Sequence, residues 1–532
     1  MRKHLFLMAS LALGMAACTD ADLKNEQGRE PEGKPEEVKS NLTTVNLATF
    51  GADQSRVKYE GGTRAEEEEL KPGDLKLVAT IDNPHPSVVF SNSTTGDSRI
   101  MSATSVFRNT DGKYYVTYHV QGNNYNTDLD KSIGGAIQVF EIKDGEVKLE
   151  EGFRAADPDK EDYDFNHIYF DNRGGRIIVV GHNWSVPSSY QGDLPYTGEN
   201  TRAIIGVFDP VKRTLTYDKV TSSIEVRDND GKLIDHEDAG DVNCVVRIYD
   251  QYYLATRKGI AVLNAKDDEL FTSVLNEDKT RYFIPTKGSC KFVNDDPHDY
   301  TRMQFLYLSE EKPNIKNQKS EAKIVEFKVA TEGENKFLGL INEDTHLTVY
   351  DSKDMDLTTY EQQFTLPAYI SPIDGKNTIC AFDNAEKLYV SLGTGGLYYK
   401  QYTHWGPREL MTGVMTFNNR PVNCVYAEAP SGESFHGGYV YVANGARLTI
   451  LDRATMEEVA SYTLSAKDKI DENEASANYI SVEVGKSYPL THYGIVGSVK
   501  ERIITVAYGQ AGVRIFRFIP TPSSAYPAPP EG

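Results

Sequence analysis

The sequence predicts an all-β chain folded as a seven-bladed β-propeller. Three observations carry that prediction: a three-strand phrase that recurs seven times, a composition suited to short strands, and turn residues throughout the chain. Thirty-two Tyr, 21 Phe and 42 Gly among 532 residues fit many short strands joined by tight turns.

The phrase is plainest in its third copy, which reads Val242 to Ile248, a turn, Tyr252 to Thr256, a turn, and Ile260 to Leu263. Ala103 to Phe107, Tyr114 to His119 and Ala136 to Glu141 form the first copy, and Asn166 to Phe170, Arg176 to Val180 and Ala203 to Phe208 the second. The fourth runs through Cys290 to Val293, Gln304 to Leu308 and Lys323 to Phe327, with a long insertion at Glu310 to Glu321. The fifth takes Thr378 to Phe382, Leu388 to Ser391 and Gly396 to Lys400. Val422 to Ala427, Tyr439 to Ala443 and Arg447 to Leu451 follow, and the last copy has Tyr479 to Val484, Ile503 to Ala507 and Val513 to Phe518.

Third strands begin at Ile137, Ile204, Ile260, Ile324, Leu397, Leu448 and Val513, from 51 to 73 residues apart. A unit of that size holds about four strands, the content of one propeller blade, and stacked blades bury faces that one sheet cannot bury alone. Two β-sandwiches in tandem would match the strand number but predict no shared phrase. Residues 75–519 are therefore expected to form the propeller, with Leu75 to Ile81 as an outer strand supplied by the N-terminal side. The Pro-rich tail 520–532 cannot join a ladder and is expected to lie loose.

Residues 1–17 read as a lipoprotein signal peptide. Arg2-Lys3 precedes an apolar run from Leu5 to Ala17 that is too short for a bilayer, and Met15-Ala16-Ala17-Cys18 resembles a bacterial lipobox. That resemblance implies a lipidated, palmitate-bearing Cys18. Between residues 19 and 70 stand 13 acidic and 7 basic side chains, so residues 18–74 read as a flexible acidic spacer. The expected location is the envelope of a Gram-negative bacterium, as an outer-membrane lipoprotein facing the periplasm or the cell surface. A net charge of −21 excludes a nucleic-acid footprint, and membrane contact is expected only through the lipid.

The third-strand phrases LTILD at Leu448 to Asp452, IAVLN at Ile260 to Asn264 and VRIFR at Val513 to Arg517 resemble the LVIVD-repeat propellers. That family implies an extracytoplasmic β-propeller, in many cases lipid-anchored and mostly without an assigned activity.

Candidate ligand-binding residues come from a second recurrence, Asp164-Phe165-Asn166, Asp241-Val242-Asn243 and Pro421-Val422-Asn423, with Asn478 at a similar place in the last copy. Innermost strands border a propeller's channel, so these side chains are expected to cluster there. They can cap backbone groups structurally or grip a sugar hydroxyl or a cation. His167, His182 and Trp184 belong to the same copy; an aromatic face beside an imidazole and an amide is a pattern that stacks on sugars. The His236 to Asp241 run reads as a solvated loop. Cys244, Cys290, Cys380 and Cys424 fall at one register of successive first strands and read as small buried hydrophobes, not as disulfides or zinc ligands.

No nucleophile elbow, HExxH or phosphate loop occurs, so no catalytic residue, cofactor or metal is assigned. The expected function is a binding or scaffolding module for a glycan or protein partner. The alternative is a propeller-type glycan hydrolase or lyase using Asp164, His167 and Asp241.

Overall fold

In the computed structural model the described residues are 41–523. Left out of that span are 61–69, 90–99, 122–133, 186–200, 286–306, 309–321, 330–336, 352–360, 366–378, 402–411, 429–436, 465–476 and breaks of at most five residues elsewhere; between 307 and 388 only the backbone is described. Residues 1–40, with the expected signal peptide and Cys18, and residues 524–532 lie outside them. The chain is all-β, with a propeller-like, repeated architecture of antiparallel meanders.

The first meander joins Ile100–Arg108, Lys113–Gln121, Gly135–Lys143 and Glu146–Ala155. Glu161–Asp171, Arg176–Ser185, Thr201–Asp209 and Thr214–Lys219 form the second, and Val242–Ile248, Gln251–Thr256, Gly259–Asn264 and Phe283–Pro285 the third. Further along, Ile379–Asp383, Lys387–Ser391, Leu397–Gln401 and Thr412–Met415 pair in sequence, as do Val422–Ala427, Tyr439–Asn444, Arg447–Asp452 and Glu458–Thr463. The last sheet unites Tyr479–His492, Ile495–Ala507 and Val513–Phe518 with Leu75–Ile81, which pairs antiparallel with the C-terminal strand as expected.

The strand Lys113–Gln121 shows why these segments stack. Its Tyr114, Val116 and Tyr118 pack with Ala507, Val513 and Ile515 of the last sheet, while Tyr115 on the opposite face joins Phe165, Ile177 and Phe208 of the second. Ile178, Val180 and Ile205 then meet Val242, Val245 and Leu254 of the third sheet. The first and second sheets thus each separate two apolar layers, so apolar side chains stand on both faces of their strands. Full burial of one such side chain stabilises the fold by about 1.5–3 kcal/mol.

Polar links cross the same layers. Asp171 Oδ2 accepts from Arg247 Nη1 at 2.6 Å and from the Tyr252 hydroxyl at 2.5 Å, tying the second sheet to the third. Arg502 Nε donates to Glu428 Oε1 at 2.6 Å, and Tyr441 donates to the same oxygen at 2.5 Å; all three are buried.

Three expectations need correction. The spacer 18–74 is not uniformly unstructured, because Thr43–Phe50 and Val57–Tyr59 are strands. Thr43–Asn46 pairs with the outer strand of the second sheet and Leu47–Phe50 with that of the first, so one segment laces two neighbours. Acidic residues dominate the stretch on average, yet TTVNLATF itself is β-favouring and finds two open edges. The tail differs as well: Thr521 exchanges hydrogen bonds with the Tyr439 hydroxyl at 3.0 Å, and Ser523 is buried. In the fourth copy Ala322–Val329 holds Ile324, but Phe337–Asn342, His346–Asp351 and Glu361–Thr365 extend the sheet, and a parallel pairing joins it to Ile379–Asp383.

Candidate functional site

The recurring Asn marks a β-bulge. Among the described residues, the first strand of a meander slips register between Ala103 and Ser105, Phe165 and His167, Val242 and Cys244, and Val422 and Cys424. The extra residues are Thr104, Asn166, Asn243 and Asn423. A bulged residue has no cross-strand partner, which frees its side chain to turn toward the neighbouring sheet.

What these side chains reach is consistent. Thr104 Oγ1 meets Phe165 O at 2.9 Å, Asn166 Nδ2 donates to Val242 O at 2.9 Å, and Asn478 Nδ2 donates to Ala103 O at 3.0 Å. Each acceptor is the residue just before the bulge of the next sheet, and Asn478 carries the pattern from the last sheet to the first. A second contact runs beside it. The Ile168 N–H reaches Ser105 Oγ at 3.5 Å, and the Val245 N–H donates to His167 Nδ1 at 3.3 Å. With Nδ1 accepting, the neutral His167 ring carries its proton on Nε2, which faces the Tyr479 hydroxyl at 3.3 Å. Cys424 sits at the position that corresponds to His167 and is fully buried among apolar neighbours, as expected.

Four titratable groups gather beside the clasp of the second sheet. His119 lies near the end of the second strand of the first sheet, Asp164 and His182 belong to the second sheet, and Asp241 immediately precedes the first strand of the third. His182 Nδ1 lies 3.2 Å from Asp241 Oδ1, and His119 Nδ1 lies 3.8 Å from Asp164 Oδ1. All four are buried, His182 being the most exposed at 8%. Close backbone approach makes the cluster possible, since a β-carbon on Gly181 would stand 1.9 Å from Asp164 O.

The two carboxylates differ in their donors. Asp241 Oδ1 accepts from Asn166 Nδ2 at 3.0 Å and from its own Val242 N–H at 2.8 Å. Asp164 Oδ1 accepts no hydrogen bond among the described residues, because the preceding clasp is made by the shorter Thr104. Burial foremost, with the neighbouring Asp241, therefore pushes the Asp164 carboxyl up to about 8 against the opposing effects of His182 and the Phe165 N–H. Burial lowers His119 to about 4, with Asp241 acting in the opposite sense. At neutral pH the His119–Asp164 contact thus joins a neutral imidazole to a carboxylic acid.

The structure brings together Asp164, Asn166, His182 and Asp241, and places His167 and Asn478 in inter-sheet contacts. Only the backbones of Asn243 and Asn423 are described. Trp184 is 2% exposed. His119, which sequence reasoning missed, has no local signal; it stands within a strand rich in Tyr and Val. The His236 to Asp241 run is not a solvated loop, since Leu233–Asp238 pairs with Thr221–Arg227, His236 is buried and Asp238 accepts the Gly240 N–H at 2.7 Å. Among the described residues no group of three or more His, Cys, Asp or Glu is placed to hold a metal ion; imidazoles and carboxylates meet in pairs. No described helix is long and apolar enough to cross a membrane.

No protein-family model matches the chain, and no curated protein matches it. Solved structures similar to it include Saccharomyces cerevisiae Sqt1, at 8% identity and a TM-score of 0.42 over 81% of this chain and 98% of that one. The β-propeller domain of Myceliophteria thermophila Cps50 (Swd1) is similar at 11% identity and a TM-score of 0.39, covering 78% and 96%. The extracellular domain of a putative hybrid two component system from B. thetaiotaomicron has 12% identity and a TM-score of 0.38 over 82% of this chain, which spans 42% of that chain's length. None of these likenesses bears on ligand or activity.

Proposed function

We propose that this chain is a lipid-anchored, extracytoplasmic seven-bladed β-propeller of the LVIVD-repeat type, held at an outer membrane through Cys18. It serves as a binding or scaffolding module for a glycan or protein partner. One observation supports binding over catalysis: the polar residues of the inner strands hold sheet to sheet, and Asp164, His167 and Asp241 are each at most 3% exposed. A hydrolase or lyase must bring such groups against its substrate. We assign the framework role to Asn166, His167 and Asn478, and put His182 at the edge of the ligand surface as the most exposed of the quartet.

The test is a glycan array and an envelope pull-down with the full chain carrying Cys18→Ser. Saturable binding without turnover, retained in a folded Asp164→Asn variant, is the expected result. Glycan cleavage that disappears with Asp164→Asn would replace this reading with the enzymatic one.

A further inference from the structure

The last meander carries a two-stranded extension that the blade pattern does not use. Its first two strands pair from Tyr479↔Ala507 out to His492↔Ile495, whereas the third strand covers only Arg502 to Ala507. Beyond Arg502 the ribbon therefore stands without a third strand. Tyr493 and Gly494 close it with φ of 47° and 75°, the left-handed pair of a two-residue hairpin turn.

Along the ribbon as far as the Leu490↔Gly497 pair, Leu490 and Val499 pack on Ile519, beside Leu70 and Tyr488. The tip has no such cover. Tyr493, Ile495 and Val496 are 60%, 54% and 76% exposed. Cross-strand pairing puts Ile495 on the face of His492 and Leu490, and Val496 on the opposite face with Thr491. A flat protein partner covers one face of a ribbon, but this tip is apolar on both faces and at its apex. Only a medium that surrounds it removes all three side chains from water.

Charge points the same way. In a chain with 78 acidic residues, none occurs from Gly485 to Lys500, and exposed Lys486 and Lys500 bound that stretch. The tip extends about 10 Å past the Leu490↔Gly497 pair at the strand rise of roughly 3.3 Å per residue. That matches the depth of roughly 5–10 Å to which interfacial segments sit in the headgroup and acyl boundary. An aromatic ring at the apex completes an interfacial arrangement, and Lys486 and Lys500, about 20 Å behind it at the same rise, stand on the water side of the headgroups.

We infer that the Tyr493–Val496 hairpin tip inserts into a lipid surface, as a contact separate from any N-terminal lipid. The inference is independent of the Cys18 reading, although a tethered chain would bring the tip to a membrane continuously. The test uses the full chain with Cys18→Ser and Tyr493→Trp, mixed with phosphatidylcholine vesicles with and without phosphatidylglycerol, some brominated on their acyl chains. The introduced indole is expected to shift to the blue and to be quenched at least twofold by brominated lipid, with or without phosphatidylglycerol. Adding Ile495→Asp and Val496→Asp is expected to abolish quenching with an unchanged circular dichroism spectrum. Absence of quenching, quenching that survives both aspartates, or concentration-dependent shielding of the indole without vesicles would overturn the inference, the last by assigning the tip to a second copy. Fractionation of the chain with its native Cys18 reads the tether separately.

Discussion

His182 Nδ1 and Asp241 Oδ1 meet at 3.2 Å across the boundary between two sheets, and Asp241 also accepts from Asn166. The carboxylate is thus shared by an imidazole and an amide from the neighbouring sheet, whereas Asp164, two residues before the bulge of its own strand, has no such amide.

That difference predicts a pH dependence. Asp164 has its folded value raised to about 8 from 3.8, so its stabilising contribution is full below about 3.8 and is lost as pH rises through about 8. His119 is lowered to about 4 from 6.5, so its contribution is present above about 6.5 and lost as pH falls through about 4. The two oppose each other between those limits, and above about 6.5 only Asp164 acts. Stability measured by urea unfolding should fall from about pH 6.5 to about pH 8, by at most about 1.4 kcal/mol per pH unit from this group. Asp164→Asn should remove that part of the slope; an unchanged slope would refute the assignment.

The inter-sheet clasp makes Asn166→Ala costly. It strips a donor from Asp241 and Val242 together, and should destabilise by about 1–3 kcal/mol with faster amide exchange along Val242–Ile248. Asn166→Asp should cost more, since it sets a second carboxylate against Asp241.

Much of this architecture is legible in the sequence because each strand keeps its own alternation. Tyr114 to His119 and Tyr439 to Ala443 announce themselves by period and by flanking turns, and the recurrence of Asn166, Asn243 and Asn423 points to a shared structural position. Neither pattern shows that the Asn is bulged, since a bulge is a relation between strands. Thr43–Phe50 is hidden because its partners lie far along the chain and its acidic surroundings dominate any average. The long ribbon is hidden by Pro489, Gly494 and Gly497, which read as a loop; Pro489 is tolerated because its strand is at the sheet edge.

Glu428, Arg502 and Tyr441 form a buried network whose members should fail singly. Glu428→Ala is expected to cost about 3–5 kcal/mol by leaving the guanidinium uncompensated. The pair Glu428→Leu with Arg502→Met should recover most of that loss in denaturant unfolding. Equal loss in single and paired variants would show that the two residues act independently.

Leu47 is the buried residue at the middle of the lacing strand, where pairing passes from the second sheet to the first. Leu47→Asp should release the strand, so that amide protection falls in Glu146–Ala155 and Thr214–Lys219 together. Loss confined to one of them would mean that the two halves dock separately.

In a chain that already carries Ile495→Asp and Val496→Asp, so that the hairpin tip cannot hold it, Cys18→Ser should move the protein from the membrane fraction to the soluble fraction. Unchanged partitioning would remove the lipid anchor from the proposed function.

The antiparallel seam between Leu75–Ile81 and Val513–Phe518 also orders events in time. A strand made early waits for a partner far along the chain, so the seam cannot form until Val513–Phe518 has been made. During that interval LKLVATI can pair with Val57–Tyr59 on one side but keeps its other edge open, and an open, β-prone, apolar edge is the kind of segment that seeds aggregation. The slowest and most vulnerable step of assembly should therefore be the closing of this seam, when Leu75–Ile81 and Val513–Phe518 find each other.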